Sequence, residues 1–212
     1  MKYKLAIFDF DGTLADSFPF FISVFNDLAA RHGFKSISPE EIEALRGYGA
    51  RQLMAHVGLS AWRFPFVARD FISRMRKNRD SVQPFAGVAY MLAYLSRQGM
   101  HLAIVSSNSQ DNISQVLGPD TMRLFDAVEC GASVFGKASR LRRVLRQSGV
   151  NQADAIYIGD QLTDLEAARD AGMAFGAVAW GYGSLASLKS LAPDEVFLTV
   201  AEIRRIAGTS CE

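Results

Sequence analysis

Three short runs that are apolar at every position place the strongest constraint on how this chain folds. Each run ends abruptly in polar residues, and the three sequences are AIFD at 6–9, AIVSSN at 103–108 and AIYIGD at 155–160. A strand with one solvated face alternates polar and apolar residues, whereas a continuous apolar run fits a strand covered by helices on both faces. The chain is therefore predicted to contain a parallel β-sheet.

Stretches with helical periodicity lie between and after these runs. Apolar residues recur at helical spacing in 88–99, 137–149 and 163–172, and each stretch ends at a glycine, which is typical of a helix C-terminus. A further strand is predicted at 174–180. Alternating strands and helices predict an α/β sandwich with right-handed crossovers, in which ligands bind beyond the carboxyl ends of the strands. The polar endings of the three runs should meet at that edge.

The segment from 16 to 83 interrupts this alternation. It contains an apolar helical stripe that includes Phe20, Val24 and Phe25, and a predicted capping box formed by Ser38 and Glu41. Nothing in the segment resembles a buried strand, and its length is enough for a small domain. We expect a core of residues 1–15 and 84–212 and a helical cap domain, 16–83, that acts as a lid.

Composition excludes several classes of protein. Lys plus Arg number 23 and Asp plus Glu number 22, so the net charge of +1 supplies no broad field for nucleic acid or an anionic membrane. The two cysteines, Cys130 and Cys211, lack metal-type spacing, and no stretch is apolar enough to span a membrane. We expect a cytoplasmic monomer or homodimer without nucleic-acid or membrane partners.

Paired acidic residues follow the first apolar run. Asp9 and Asp11 are two residues apart, so their carboxylates address one volume while Phe10 turns toward the core, and Gly12 allows the backbone to turn sharply. Two such carboxylates repel each other unless a proton or a hard cation lies beside them, and oxygen ligands of this kind suit Mg²⁺. Asp160, at the end of another run, is the predicted third acid.

Groups suited to holding an anion occur at the other predicted strand end. Ser106, Ser107 and Asn108 offer hydroxyl and amide donors after the second run, and Lys137 opens a predicted helix, where its ammonium and the helix dipole both favour a phosphate. Taken singly, each of these residues could equally be part of a turn, a helix cap or an exposed side chain without a functional role. Acids and donors in this order indicate phosphoryl transfer, which depends mainly on positioning and charge neutralisation.

Four parts of the sequence resemble, in order, the four motifs of the haloacid dehalogenase-like hydrolase superfamily. These parts are DFDGT, SSN, Lys137 and GDQLTD. The resemblance covers essentially the whole chain, and within the superfamily the sequence is similar to phosphoglycolate phosphatase-like members. It implies a Rossmann-like α/β core with an inserted helical cap of the four-helix type.

The resemblance also implies roles for the acidic residues. Asp9 would attack the substrate phosphorus and form an aspartyl phosphate, and Asp11 would protonate the leaving alcohol and later deprotonate the hydrolytic water. Mg²⁺ would be held by Asp9, the main-chain carbonyl of Asp11, and Asp160. Asp164, one helical turn after Asp160, would orient these groups without binding the metal.

The remaining motif residues would contact the phosphate. Ser106 aligns with the strand-ending Ser or Thr of the family, although the doubled serine leaves Ser107 as an alternative, and Asn108 would assist. Lys137 would neutralise the nucleophile and the phosphate. In the cap, Arg46 in LRGYG is the expected residue that reaches the substrate, with a solvated surface arginine as the alternative.

The predicted function is that of a Mg²⁺-dependent phosphatase acting on a small phosphorylated metabolite, such as phosphoglycolate or a sugar phosphate. A sugar phosphomutase similar to beta-phosphoglucomutase shares all four motifs and stays an alternative. A haloacid dehalogenase does not need the acid at Asp11. A receiver-type signalling module would be shorter and would lack both the insertion and the late acidic motif.

Overall fold

A computed structural model describes residues 2–45, 48, 50–131 and 136–208. Its strands are β1 (Leu5–Phe8), β2 (Ala15–Asp16), β3 (Gln83–Pro84), β4 (His101–Val105), β5 (Ala127–Glu129), β6 (Ala155–Gly159), β7 (Ala174–Val178) and β8 (Glu195–Phe197). Its α-helices are α1 (Phe18–His32), α2 (Pro39–Leu45), α3 (Ala50–His56), α4 (Phe64–Lys77), α5 (Val88–Arg97), α6 (Gln110–Met122), α7 (Lys137–Ser148), α8 (Leu162–Asp170) and α9 (Leu185–Ser190). Short 3-10 helices lie at Arg79–Ser81, Gln152–Asp154 and Val200–Ala207.

Six strands form one sheet in the order β5-β4-β1-β6-β7-β8, and every neighbouring pair is parallel. The three predicted runs are β1, β4 and β6, and they occupy adjacent positions at the centre of the sheet. Phe8 of β1 pairs with Ile104 of β4 and with Ile158 of β6, so the three strands end at nearly the same level. The predicted α/β architecture is confirmed, and the polar residues after these strands share one edge.

Both faces of the sheet are covered, as the continuous apolar runs predicted. Along β1, Ala6 and Phe8 join the core on one face, while Leu5 and Ile7 join the core on the other. Helix α5 packs against β4 on the first face, and α7 and α8 cover the second. Because side chains alternate across a strand, a strand enclosed in this way needs apolar residues at every position.

The predicted helical segment begins and ends at a two-stranded pairing. Strands β2 and β3 are antiparallel, with Ala15 opposite Pro84 and Asp16 opposite Gln83, and helices α1 to α4 lie between them. We call residues 16–83 the helical insertion. The predicted apolar stripe of α1 is buried at Phe20, Val24, Phe25 and Leu28, and α1 packs against α4.

Local predictions differ from the structure mainly at the ends of elements. At the start of α2 the Ser38 backbone N–H donates to the Glu41 carboxylate at 2.8 Å, which is one of the two bonds of the predicted capping box. Strand β7 ends at Val178 instead of residue 180, because the chain leaves the sheet there and Trp180 Nε1 donates to the carbonyl of Thr13 at 3.1 Å. No helix in the described ranges is long and apolar enough to cross a membrane.

The packing around Gly176 of β7 gives a stability prediction. A Cβ atom at Gly176 would lie 2.7 Å from the Phe197 ring and 3.2 Å from Ile156 Cδ1. Gly176→Ala is therefore expected to lower the free energy of unfolding by about 1–3 kcal/mol through overpacking, measured by urea denaturation. In a Phe197→Leu background the same substitution should lower the free energy of unfolding by a smaller amount. An equal cost in both backgrounds would show that the contact with the Phe197 ring is not the cause.

Candidate active site

The predicted site residues lie at the carboxyl edge of the central strands. They include the acids and also Ser107, Asn108 and Lys137. A cavity of about 520 Å³ opens there, and Asp9, Asp11, Ser107, Asn108 and Lys137 all line it. Asp9 follows β1, and its backbone N–H donates to the Ile158 carbonyl of β6 at 2.9 Å, which holds it at the strand end. The sheet register thus brings residues from distant parts of the chain into one cavity.

Lys137 joins two buried carboxylates. Its Nζ lies 2.7 Å from Asp9 Oδ2 and 2.7 Å from Asp164 Oδ1. The Tyr157 hydroxyl, on β6, lies 3.1 Å from the Val105 carbonyl and 3.3 Å from Asp164 Oδ1. The backbone N–H of Gln161 donates to Asp164 Oδ2 at 3.1 Å. Both Asp164 oxygens are therefore occupied by donors within the protein, and this carboxylate orients Lys137.

Asp11 is held by two side chains. Ser17 donates its hydroxyl hydrogen to Asp11 Oδ1 at 2.7 Å, and Asn108 donates from its amide to Asp11 Oδ2 at 2.9 Å. The Tyr182 hydroxyl lies 2.5 Å from the hydroxyl of Ser17. Ser17 directly precedes α1, so the carboxylate of Asp11 is tied both to the start of the helical insertion and to the loop after β7.

Asp160 is fully buried after β6 and is closely surrounded by backbone. Its Oδ2 accepts a hydrogen bond from the backbone N–H of Tyr182 at 2.7 Å. A Cβ atom at Gly12 would lie 2.6 Å from the same oxygen, and one at Gly181 would lie 2.2 Å from Asp160 Cβ. Gly12 also has a φ of +75°, which side chains rarely adopt. Glycine at both positions leaves the space that the Asp160 carboxylate occupies.

The carboxylates fit a divalent cation. Oxygen atoms of Asp9, Asp160 and Asp164 lie within 4.8 Å of one another, and all three residues are buried. Lys137 supplies one positive charge against these three acids and Asp11. Buried charge is costly unless it is compensated. Carboxylate oxygens are the donors that Mg²⁺ and similar hard cations prefer, so Asp9 and Asp160 suit such an ion, while Asp164 stays bonded to Lys137 and Gln161.

Burial shifts the protonation of these acids. It raises the pKa of the Asp9 carboxyl from 3.8 to about 7, with Lys137 opposing the shift and Asp164 adding to it. Burial, followed by repulsion from Asp164 and Asp9, raises the pKa of Asp160 well above its ordinary range. The folded state therefore holds protons that the unfolded chain has released, and Asp9 costs the metal-free protein stability as the pH rises from 3.8 to about 7. A bound cation would remove this cost.

Burial also raises the pKa of Asp11, although its hydrogen bonds from Ser17 and Asn108 oppose the shift. For Lys137, burial alone would lower the pKa, but the carboxylates of Asp164 and Asp9 outweigh it and hold the pKa well above the ordinary value. Lys137 is therefore a permanent cation beside Asp9, whereas Asp11 is biased toward its protonated form.

The predicted phosphate-binding residues are placed differently from one another. Ser107 lines the cavity, whereas Ser106 is fully buried and its hydroxyl accepts a hydrogen bond from the Asn108 backbone N–H at 3.1 Å. The Asn108 amide is directed at Asp11 and Met75 Sδ. Arg46, the predicted cap residue, lies outside the described residues. The roles of these four residues stay predictions.

Three residues of the site were not predicted from the sequence. Tyr182 contacts Asp160 and Ser17, Ser17 contacts Asp11, and Tyr157 contacts Asp164. The sequence GYG at 181–183, directly after a predicted strand, resembles the polar endings of the other runs and could have indicated Tyr182. Ser17 and Tyr157 carry no comparable signal, because a serine before a helix and a tyrosine within an apolar run both have ordinary structural explanations.

A family model described as haloacid dehalogenase-like hydrolase matches residues 6–178, which includes all four predicted motifs. The chain belongs to this family. Among curated relatives, a phosphoglycolate phosphatase from Synechococcus elongatus is 33% identical over 198 residues, covering 93% of each chain. An N-acetylmuramic acid 6-phosphate phosphatase from Pseudomonas aeruginosa is 26% identical and covers 86% of this chain and 84% of its own.

Solved structures share the fold. A haloacid dehalogenase-like family protein from Streptococcus pneumoniae has a TM-score of 0.77 at 24% identity, covering 95% of this chain and 97% of its own. CbbY from Rhodobacter sphaeroides, solved in complex with phosphate, has a TM-score of 0.69 at 23% identity, covering 95% and 96%. The family, the curated relatives and the fold together identify a phosphoglycolate phosphatase-like member of the haloacid dehalogenase-like hydrolases.

The buried carboxylate cluster predicts that a divalent cation stabilises the protein. Adding Mg²⁺ to protein freed of metal by a chelator should raise the melting temperature, by roughly 5–10 °C at about 100 times the dissociation constant. Asp160→Asn removes a carboxylate from the cluster and should lose most of this rise. Asp154→Asn, which changes a surface acid paired with Lys4, is the matched control and should keep it. An undiminished rise in Asp160→Asn would exclude Asp160 as a metal ligand.

Proposed function

We propose that the protein is a Mg²⁺-dependent phosphatase that hydrolyses a small phosphorylated metabolite through an aspartyl-phosphate intermediate. The observation that carries the proposal is the arrangement of Asp9, Asp11 and Lys137 around one cavity, with Asp9 bonded to a permanent cation. The 33% identity to a phosphoglycolate phosphatase supports a phosphate ester as the substrate class. The names of the curated relatives indicate phosphoglycolate and a sugar phosphate, so these esters are the first to assay.

In the first step Asp9 is the nucleophile. One of its carboxylate oxygens forms a bond to phosphorus while the bond from phosphorus to the substrate oxygen breaks. Asp11 transfers its proton to the departing alcohol, and its raised pKa favours the protonated form that this step requires. Lys137 neutralises charge on the nucleophile and the phosphoryl group.

In the second step water attacks the phosphorus of the aspartyl phosphate. Asp11, now ionised, accepts a proton from the water, and the bond between phosphorus and Asp9 breaks to release phosphate. Ser17 and Asn108 hold both oxygens of Asp11 through the two steps. Asp9, Asp160 and the main-chain carbonyl of Asp11 would hold Mg²⁺, which would supply further charge neutralisation.

The helical insertion is proposed to be the cap domain, residues 16–83, of a core formed by 1–15 and 84–212. Its side chains line the cavity beside the catalytic carboxylates, and closure of the cap over a bound substrate would exclude water from the reacting phosphate. Arg46, which lies outside the described residues, is proposed to be the cap residue that reaches the substrate. We place the enzyme in the cytoplasm, as a monomer or homodimer.

A sugar phosphomutase is the second candidate because it would use the same Asp9, Asp11 and Lys137 chemistry. The two activities differ in their products. Mg²⁺-dependent release of inorganic phosphate from a panel of phosphate esters supports the phosphatase, whereas rearranged sugar phosphate without phosphate release supports the mutase.

Asp9→Asn should abolish phosphate release and leave the fold intact, because the amide is a poor nucleophile and Lys137 keeps its partner Asp164. Turnover is measured by a colorimetric phosphate assay, and folding by circular dichroism and thermal melting. The surface variant Asp154→Asn should retain wild-type turnover. If Asp9→Asn released phosphate at the wild-type rate, the nucleophile would have to be another residue.

Asp11→Asn should slow turnover by roughly 100- to 10,000-fold, since it removes proton transfer to the leaving alcohol. The loss in kcat/KM, which reports the steps up to release of the alcohol, should be smaller for p-nitrophenyl phosphate than for an alkyl phosphate, because nitrophenolate is a stable leaving group that needs little protonation. Steady-state kinetics with both esters measure the difference. Equal losses for the two substrates would argue against a general-acid role.

A further inference from the structure

The cavity has two chemically different ends. At the core end lie the carboxylates of Asp9 and Asp11 and the ammonium of Lys137. The other end is formed by the helical insertion and is lined by apolar side chains, among them Phe21, Phe25, Phe34, Leu53, Phe71 and Ile72. We call this part the apolar chamber. It continues directly from the catalytic residues, so a phosphate bound at Asp9 would direct its ester group toward it.

Aromatic rings form an unbroken wall of the apolar chamber. The ring of Phe21 lies 6.1 Å from that of Tyr182, 5.9 Å from Phe71 and 5.2 Å from Phe25. Phe25 in turn lies 5.5 Å from Phe34. Tyr182 also hydrogen-bonds to Ser17 and Asp160 beside the catalytic acid, so the aromatic wall begins at the reaction site and extends into the insertion.

Among the residues that the structure describes, the lining of the apolar chamber is nearly free of charge. Of the insertion residues described in the structure that line it, Arg69 alone carries a charge, and Arg69 is exposed with its guanidinium over the Phe66 ring at 5.6 Å. A substrate carboxylate or a sugar ring placed among the phenylalanines would give up hydration without gaining matching hydrogen bonds. An apolar group placed there would lose water favourably.

We propose that the preferred substrate is a phosphate monoester of an apolar alcohol, whose hydrocarbon part fills the apolar chamber while the phosphate lies between Asp9 and Lys137. This assignment rests on the proposed phosphatase function. The cavity volume of about 520 Å³ lies within the roughly 300–1,000 Å³ typical of sites that enclose a substantial organic ligand. The chamber thus selects the ester group, and the carboxyl edge of the sheet recognises the phosphate.

Ethyl, butyl and hexyl phosphate test the proposal. Their alcohols have almost the same acidity, so the chemical step is matched and only the buried hydrocarbon changes. Each fully buried methylene strengthens binding by roughly fourfold. We therefore expect kcat/KM to rise by at least roughly tenfold from ethyl to hexyl phosphate. Phosphoglycolate and glucose 6-phosphate should both have a lower kcat/KM than hexyl phosphate.

Two phenylalanine variants locate the effect. Phe21→Ala removes a ring from the chamber wall and should reduce the ratio of kcat/KM for hexyl over ethyl phosphate at least roughly threefold. Phe66→Ala removes a phenylalanine of the same helical insertion that is 50% exposed and lies outside the cavity lining, and it should leave the ratio unchanged.

The outcomes separate this proposal from the proposed function. Phosphate release from any of the esters, combined with no increase along the alkyl series or with phosphoglycolate preferred over hexyl phosphate, would overturn the apolar substrate class and leave the phosphatase standing. Release from none of the esters would overturn both. A rising series whose slope depends on Phe21 and not on Phe66 would support the apolar chamber.

Discussion

The rest of the site depends on the contact of Lys137 with Asp9 and Asp164. One buried ammonium lies 2.7 Å from an oxygen of each carboxylate. Removing one partner of such a buried pair costs about 3–5 kcal/mol because the remaining charge is left without compensation. The lysine therefore keeps Asp9 oriented. It also stays protonated, because the two carboxylates outweigh the effect of burial and hold the pKa of Lys137 well above its ordinary value. Burial and repulsion from Asp164 and Asp9 raise the pKa of Asp160, and a divalent cation would stabilise its ionised form.

The parallel sheet makes this contact possible. Asp9, Lys137 and Asp160 are far apart in sequence, and parallel pairing of β4, β1 and β6 brings the ends of the three strands to one level. Helix α7 begins at Lys137 on the same edge, and α8 carries Asp164 at its N-terminal turn. The helical insertion then encloses this charged edge with phenylalanines. A cavity with charged residues at the core end and the apolar chamber at the other suits a substrate with a phosphate at one end and hydrocarbon at the other.

Much of this arrangement followed from local patterns. The continuous apolar runs predicted the central strands, because burial on both faces needs apolar residues at each position, and the position of Asp9 and Asp11 after the first run predicted their shared cavity. Residues that act through long-range contacts were missed. Tyr182 reaches Ser17 across 165 residues of sequence, and its backbone N–H supports Asp160. Its position after a predicted strand indicates the sheet edge, but not these two partners. The apolar lining of the cavity was likewise hidden, since a helical stripe of phenylalanines reads equally as ordinary core packing.

Chemical trapping of the intermediate tests the central claim most directly. The enzyme would be mixed with p-nitrophenyl phosphate and Mg²⁺, quenched, reduced with borohydride and digested, and the peptide that contains residue 9 examined by mass spectrometry. An aspartyl phosphate is reduced to homoserine, so homoserine at position 9, formed only when substrate is present, is the predicted result. Homoserine at a different aspartate, or unmodified Asp9 under conditions in which p-nitrophenol is released in a burst, would contradict the account.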